Sequence, residues 1–417
     1  MAERIFNGEK ITYDTELLHT TVKPYLKGIV KGYGKSLKDV DYNTPDFKTL
    51  QKLTENVFQF SASKDFNLLR DMTNALKGSD GKLRSFDDFR QEVDRMNTKY
   101  NINWLRTEYN QAVASSQCAA RWTDYGKHAE KNPFLQYQAV MDANTRAEHA
   151  ALHGVIKRYD DDFWDKYYPP NGWGCRCEVI QLPGKNHKET PDADLKYCKV
   201  DDMWKVNVGK KGVVFPKGHP YFMGQCQRCN GAKTGLSNNY NPNNAQCQVC
   251  LLGQKACAEY TGDCLRQHYV QKANKNIAKI KAGMNEEGRT IVDNVFDSGK
   301  LTINKGSFKS IKSHNKEDEY LIKYMSEFDL TDFSNWTHEG WAPVRAYTPE
   351  DAKYNPNKLN NGKHIDTLYF NYYSITIDGC KLWANVKVRH DGVGEQLYTI
   401  ESKVPSDLIP GKYKKKE

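Results

Sequence analysis

Nowhere in its 417 residues does the chain hold an apolar run approaching the ~20 residues of a membrane span, so no membrane segment is expected. The opening stretch, "MAERIFNGEKITYD", mixes acidic with basic residues and lacks the apolar core of a secretion signal, which points to synthesis in a cytoplasm. Internal repeats are absent too. Wholesale disorder is excluded by composition, since 38% of the residues are hydrophobic and 12% aromatic. Without secretion, the eleven cysteines read as metal ligands or buried thiols before disulfides. The net charge of +9 favours polyanionic partners such as nucleic acid, although the basic tail "PGKYKKKE" reads first as solvated.

A chain of this length exceeds what one core organises, and its texture changes along the way. Residues 1–130 read as helical, with apolar residues three and four apart in "TELLHTTVKPYLKGIVKGYG" and "DFKTLQKLTENVFQF", and with Ser85 as a helix start. Residues 131–210 read as α+β: a strand in "PFLQYQAVMD", a short helix in "TRAEHAALHGVIKRY" and a returning strand in "CEVIQL". Residues 211–288 form a Cys-rich segment too polar at "NGAKTGLSNNYNPNNAQ" to build a core. Residues 289–417 read as an amphipathic helix, "EDEYLIKYMSEF", followed by an antiparallel meander with Asp-Gly turns at Asp378-Gly379 and Asp391-Gly392. The fold class is therefore multidomain: a helical N-terminal part, an α+β core, a Cys-rich segment and a C-terminal α+β domain.

Cys226-x2-Cys229 and Cys247-x2-Cys250, with seventeen residues between the pairs, have the spacing at which two tight turns deliver four thiolates to one tetrahedral ion. Structural Zn2+ is expected there, replacing the missing hydrophobic core. Cys257, Cys264 and His268 follow, and are read as spare or buried thiols before a second zinc site.

Upstream, Arg146, His149 and His153 share a face if their segment is one helix, and Cys175 and Cys177 share a face if theirs is a strand. These residues, together with Phe163, Trp164, Pro169, Pro170, Trp173 and Arg176, resemble the phage head-morphogenesis family typified by the F protein of phage Mu and the minor head protein of phage SPP1. The resemblance covers residues 40–215. It implies a minor capsid component that acts near the portal, with portal or capsid proteins as partners, and a place in the virion after synthesis in a bacterial host. Many relatives carry a His two or three residues before the first Cys, where this chain has Asn171-Gly172-Trp173. A metal site built on that His does not carry over, so a packed polar junction is the expectation, with zinc at His149, His153, Cys175 and Cys177 the second reading. Redox chemistry ranks below both.

Some members of this family carry variable C-terminal toxin domains. The layout of residues 289–417 resembles the barnase, EndoU, colicin and RelE-like ribonucleases, which implies a metal-independent endoribonuclease and a neighbouring immunity protein. In "KLWANVKVRH" alternation sends Leu382, Ala384, Val386 and Val388 to a core and places Trp383, Asn385, Lys387 and Arg389 on the other face, an arrangement suited to base stacking beside phosphate. Cleavage needs a base for the 2′-hydroxyl, an acid for the leaving oxygen and cations for the phosphorane. His390 and His314 are the candidates for proton transfer, Lys387, Arg389 and Arg345 for phosphate, and Tyr398 or Thr399 for orientation; His364 flanks them. The alternative is a wholly structural virion protein whose C-terminal domain binds portal, scaffold or packaged DNA. ADP-ribosyl transfer ranks third, since no Arg, Ser-Thr-Ser and Glu-x-Glu series is found.

Overall fold

The structure, a computed structural model, describes the chain apart from residues 10, 12, 43, 196–199, 223–247, 294–299, 315–317, 345–348, 350–365, 390–393 and 412–417, and apart from the side chains of 103, 248, 250, 293 and 312–314. It divides into two compact units, Met1–Leu265 and Arg266–Glu417.

Unit 1 opens with five helices: α1 (Ala2–Phe6), α2 (Thr15–Tyr33), α3 (Pro45–Asn74), α4 (Phe86–Thr98) and α5 (Leu105–His128). Their starts follow from local chemistry. Asp14, Thr44 and Ser85 each accept a backbone N–H three residues on, and Pro45 occupies the first turn of α3, where no donor is needed. Tyr25, Leu53, Val57, Phe58 and Phe60 are wholly buried in the core between these helices. Helices α2 and α5 approach so closely that a Cβ on Gly32 would lie 2.1 Å from the Val113 carbonyl oxygen. Only glycine fits there.

Against this helical layer stands a small sheet of β1 (Phe134–Gln138), β2 (Ile156–Arg158) and β3 (Glu178–Gln181) in the order β2-β1-β3, all antiparallel. Its core holds Leu135, Tyr137, Leu152, Trp164 and Val179. The helix expected over "TRAEHAALHGVIKRY" is only the four residues of α6 (Ala147–Ala150). Gly154, at φ +82°, turns the chain and donates its N–H to the Tyr137 carbonyl, so the segment leaves as β2 instead of continuing as helix. Two further short helices, α7 (Phe163–Tyr167) and α8 (Val208–Lys211), lead back to the helical layer. Asn56 of α3 fastens that return: its Oδ1 accepts the N–H groups of Val214 and Phe215 at 2.8 Å each, and its Nδ2 donates to the Phe215 carbonyl at 3.1 Å.

Part of the Cys-rich segment is a 35-residue helix, α9 (Gln248–Ala282). Its run of Ala, Leu, Gln and Lys residues holds no proline and favours helix. Cys257 and Cys264 are buried in the core of unit 1, as spare thiols would be, whereas Ala273 and Ile277 belong to the core of unit 2.

Unit 2 is built on a seven-stranded sheet, ordered β10-β6-β7-β8-β9-β5-β4, from β4 (Arg289–Asp293), β5 (Lys300–Asn304), β6 (Thr337–Pro343), β7 (Thr367–Ile377), β8 (Cys380–Arg389), β9 (Glu395–Glu401) and β10 (Ile409–Pro410). A hairpin, β4–β5, precedes the helices α10 (Lys305–His314) and α11 (Glu319–Glu327), so residues 289–417 begin with strands and not with the amphipathic helix. The meander is antiparallel as expected from β6 to β9, while β5 joins β9 in parallel. The turn at Asp378-Gly379 takes positive φ at both residues and closes β7 onto β8. Leu382, Ala384 and Val386 enter the main core with Phe308 and Leu321. No helix among the described residues is long and apolar enough to cross a membrane.

Candidate functional site

The C-x-C turn and helix α6 meet in unit 1. Gly174, at φ +66°, bends the chain just before Cys175, whose N–H bonds back to the Gly172 carbonyl at 3.1 Å. Arg176 points the opposite way and forms a two-pronged pair with Asp142, at 2.5 and 2.6 Å, which holds that carboxyl well below its ordinary range. Both sulfurs then face His149: Nδ1 lies 3.7 Å from the Cys175 Sγ and 3.5 Å from the Cys177 Sγ. All three donor atoms fall within 4.8 Å of one another, the one such group of His, Cys, Asp or Glu among the described residues.

The surroundings fix how His149 is presented. Its ring is buried, and Nε2 lies 3.3 Å from the carbonyl oxygen of Asn171, so Nε2 carries the hydrogen and Nδ1 offers its lone pair to the sulfurs. Asn171, also buried, accepts the Tyr137 hydroxyl on its Oδ1 at 2.8 Å. Arg146 donates to the Trp173 carbonyl at 2.7 Å and braces the turn from outside. Hydrogen bonding from Cys177 lowers the Cys175 thiol against the cost of burial, assisted by His149 and by the backbone of Asn171 and Cys177. The same bond raises Cys177, together with burial and the Cys175 charge.

His153 does not join them. Its Nδ1 accepts the Ala139 N–H at 3.1 Å and so closes the end of β1. The four-residue spacing from His149 does not place both rings on one face, because α6 ends at Ala150. Tyr137 and Asn171 are the supporting residues that the sequence did not single out. Both sit in the interior beside the junction and carry no pattern that spacing reveals. Trp173 packs edge-on against Trp204 at 5.1 Å and His219 at 5.6 Å, and lines a cleft of about 470 Å³ with Trp104, Glu108 and Tyr221.

The other expected sites fare differently. Cys226, Cys229 and Cys247 lie outside the described residues, and Cys250 is placed only by its backbone within α9. Arg345, His364 and His390 also lie outside them, and His314 is placed only by its backbone at the end of α10. Lys387 holds its Nζ 4.7 Å over the Tyr398 ring, and burial pulls its ammonium below the ordinary value, with Asp366 opposing and Arg389 adding to the shift. Arg389 pairs with Asp366 at 3.1 Å and donates to the Gln396 Oε1 at 3.0 Å. Thr399 is buried at 2% exposure. Trp383 is only 5% exposed, covered in a small second core with Phe370 and Tyr372, so the aromatic surface expected beside the cations is not open for stacking. Asn385 is buried with it: the face opposite the main core is itself packed.

Unit 2 also holds a polar group that alternation alone did not show. Asn371 Nδ2 and the Tyr373 hydroxyl donate to the buried Glu395 Oε1 at 2.9 and 3.0 Å, and His338 Nε2 lies 3.4 Å from Asn371 Oδ1.

Residues 68–180, which include Arg146, His149, Cys175 and Cys177, match the family described as Phage Mu protein F like protein. The "Putative capsid assembly protein F" of Escherichia phage Mu is 45% identical over 95 residues, 23% of this chain and 20% of that protein. The "Mu-like prophage FluMu F protein" of Haemophilus influenzae is 30% identical over 181 residues, 43% of each chain. The chain thus spans less than half the length of either relative. No solved structure matches it. Through residues 68–180, the segment that holds the C-x-C junction, the chain is similar to the Mu F-like proteins.

Proposed function

We propose that the protein is a minor head protein that acts in phage capsid assembly, with portal or capsid proteins as partners, and that it is carried in the virion. The observation behind this reading is the match of residues 68–180 to the Mu F family, reinforced by a relative named for capsid assembly. The segment is a built structural element: its small sheet, its Trp-rich core and its C-x-C junction are fastened to α5 through Tyr125, whose hydroxyl donates to the Val179 carbonyl, and through the Arg121–Glu178 pair at 2.6 Å. The test is a phage with this gene deleted. Loss of filled heads, together with recovery of the tagged protein from virions and with portal or capsid protein, is the expected result. Normal heads and a protein absent from particles would refute it.

For unit 2 the favoured reading is binding without catalysis. Burial of Trp383 and Thr399, and the pairing of Arg389 with Asp366, leave the strand face packed where an endoribonuclease would stack a base and hold phosphate. The ribonuclease reading retains His390, His314, Lys387, Arg389, Arg345, Tyr398 and Thr399 as its candidates, and an immunity protein as its partner. Expression of the full chain in bacteria separates the two. Unimpaired growth with intact RNA is expected; arrest and RNA cleavage that vanish in His390→Ala would establish the enzyme. Structural zinc at Cys226, Cys229, Cys247 and Cys250 remains a proposal resting on their spacing.

A further inference from the structure

We propose that His149, Cys175 and Cys177 bind a zinc ion, distinct from any ion at the four downstream cysteines, and that this ion clamps the C-x-C turn onto α6. The argument begins with geometry. Tetrahedral zinc with Zn–S near ~2.3 Å and Zn–N near ~2.0–2.1 Å separates a sulfur from a nitrogen ligand by about 3.6 Å. The two sulfurs here lie 3.5 and 3.7 Å from one imidazole nitrogen. A hydrogen-bond chain from Cys177 through Cys175 to His149 needs only one sulfur at Nδ1, yet both sulfurs lie within 3.7 Å of it. A cation uses all three donors at once.

The second argument is orientation. A histidine ligand ordinarily donates its other ring N–H to a carbonyl or carboxylate, which aims the ligating nitrogen. The carbonyl of Asn171 does this for Nε2, and Asn171 is itself held by the Tyr137 hydroxyl. His149 is buried while the two cysteines are partly accessible, so an ion can enter from the sulfur side. Two thiolates and one imidazole are a borderline-soft donor set, which selects zinc over magnesium or calcium. No fourth His, Cys, Asp or Glu joins the group among the described residues, and the remaining coordination position falls to solvent.

The test uses the full chain purified from zinc-supplemented cells, with metal counted per chain by mass spectrometry. Cys175→Ser and Cys177→Ser are each expected to lose one zinc equivalent, whereas His153→Gln loses none. The same loss is expected in a Cys226→Ser, Cys229→Ser background, which separates this ion from a downstream one. Unchanged zinc content in both Cys175→Ser and Cys177→Ser overturns the proposal. A second measurement needs no variant: alkylation of Cys175 and Cys177 in the native chain, read peptide by peptide, should be slow with zinc present and at least tenfold faster after chelation. Cys380 serves as the reference thiol, and equal rates at Cys175 and Cys177 with and without chelator refute the site.

Discussion

The C-x-C junction of unit 1 and the cationic strand edge of unit 2 both gather reactive side chains, but they do so in different ways. In the junction, His149 meets sulfurs 26 and 28 positions further along the chain, and its Nε2 is held by the carbonyl of buried Asn171. On the sheet, Lys387, Arg389 and Tyr398 meet their partners because β8 and β9 run side by side, with Lys387 opposite Gln396. Register alone brings cross-strand neighbours into contact. Convergence of distant residues on one point requires the fold to hold them there, and it therefore carries more weight as a sign of function.

The sharpest way to break this contrast concerns buried charge, which unit 1 also assembles by convergence. Lys64 of α3 donates to Glu108 of α5 at 2.6 Å, and Tyr25 of α2 donates to the same oxygen at 2.5 Å, all three residues being at most 3% exposed. Burial pulls the Lys64 ammonium below its ordinary value, with Glu108 opposing. Replacing Lys64 with Met strands the carboxylate, and urea unfolding should show a loss of about 3–5 kcal/mol. Adding Glu108→Gln should recover much of it. A loss under about 1 kcal/mol would reduce the network to the rank of a surface pair.

Acid sharpens the contrast next. Burial, aided by the Lys64 charge, lowers His219 from 6.5 to about 4. As pH falls below 6.5 the unfolded chain takes the proton and the folded one does not until about 4, so the His219 contribution is present above 6.5 and lost through that window. The full effect is up to roughly 3 kcal/mol. Asp65 works the other way: burial raises it from 3.8 to about 7, so its contribution is complete below 3.8 and lost as pH rises through 7. The native protein should thus show a shallower slope than either group alone. The difference between it and His219→Gln, from pH 7 to pH 4, isolates the histidine, and parallel curves would show that His219 titrates alike in both states.

How much of this could be read in the sequence follows the same division. Helix starts at Ser85, strand alternation in β1 and β8, and the turn at Asp378-Gly379 were legible because they depend on residues a few positions apart. The resemblance to the Mu F-like proteins was legible from Arg146, His149 and the C-x-C pair in order along the chain. The partition of His149 from His153 was not, since it depends on where α6 stops, and Gly154 stops it by pairing with β1. Nor was the covering of Trp383: alternation states which residues share a sheet face, but not whether the second face meets solvent or another core. The Lys64–Glu108 and Asn371–Glu395 contacts join elements far apart in the chain, and no local pattern marks them.

The smallest expected effect falls on the sheet cations. The Arg389–Asp366 pair is partly exposed, at 21% and 42%, and such pairs contribute little once solvent screens them. Arg389→Ala should cost less than about 1 kcal/mol in urea unfolding. Lys387→Met should be close to neutral, because losing the contact over Tyr398, worth about 0.5–1 kcal/mol, is offset by relief of a half-buried ammonium. A cost above about 2 kcal/mol for either would place these residues beside Lys64 as parts of the core and end the distinction between the two regions. If both changes are tolerated, the cations are not required for folding, and pulldown of portal protein, scaffold or DNA by the full-length Lys387→Met, Arg389→Ala variant becomes a clean measure of binding. Its loss, with stability intact, would assign that edge of unit 2 to a partner.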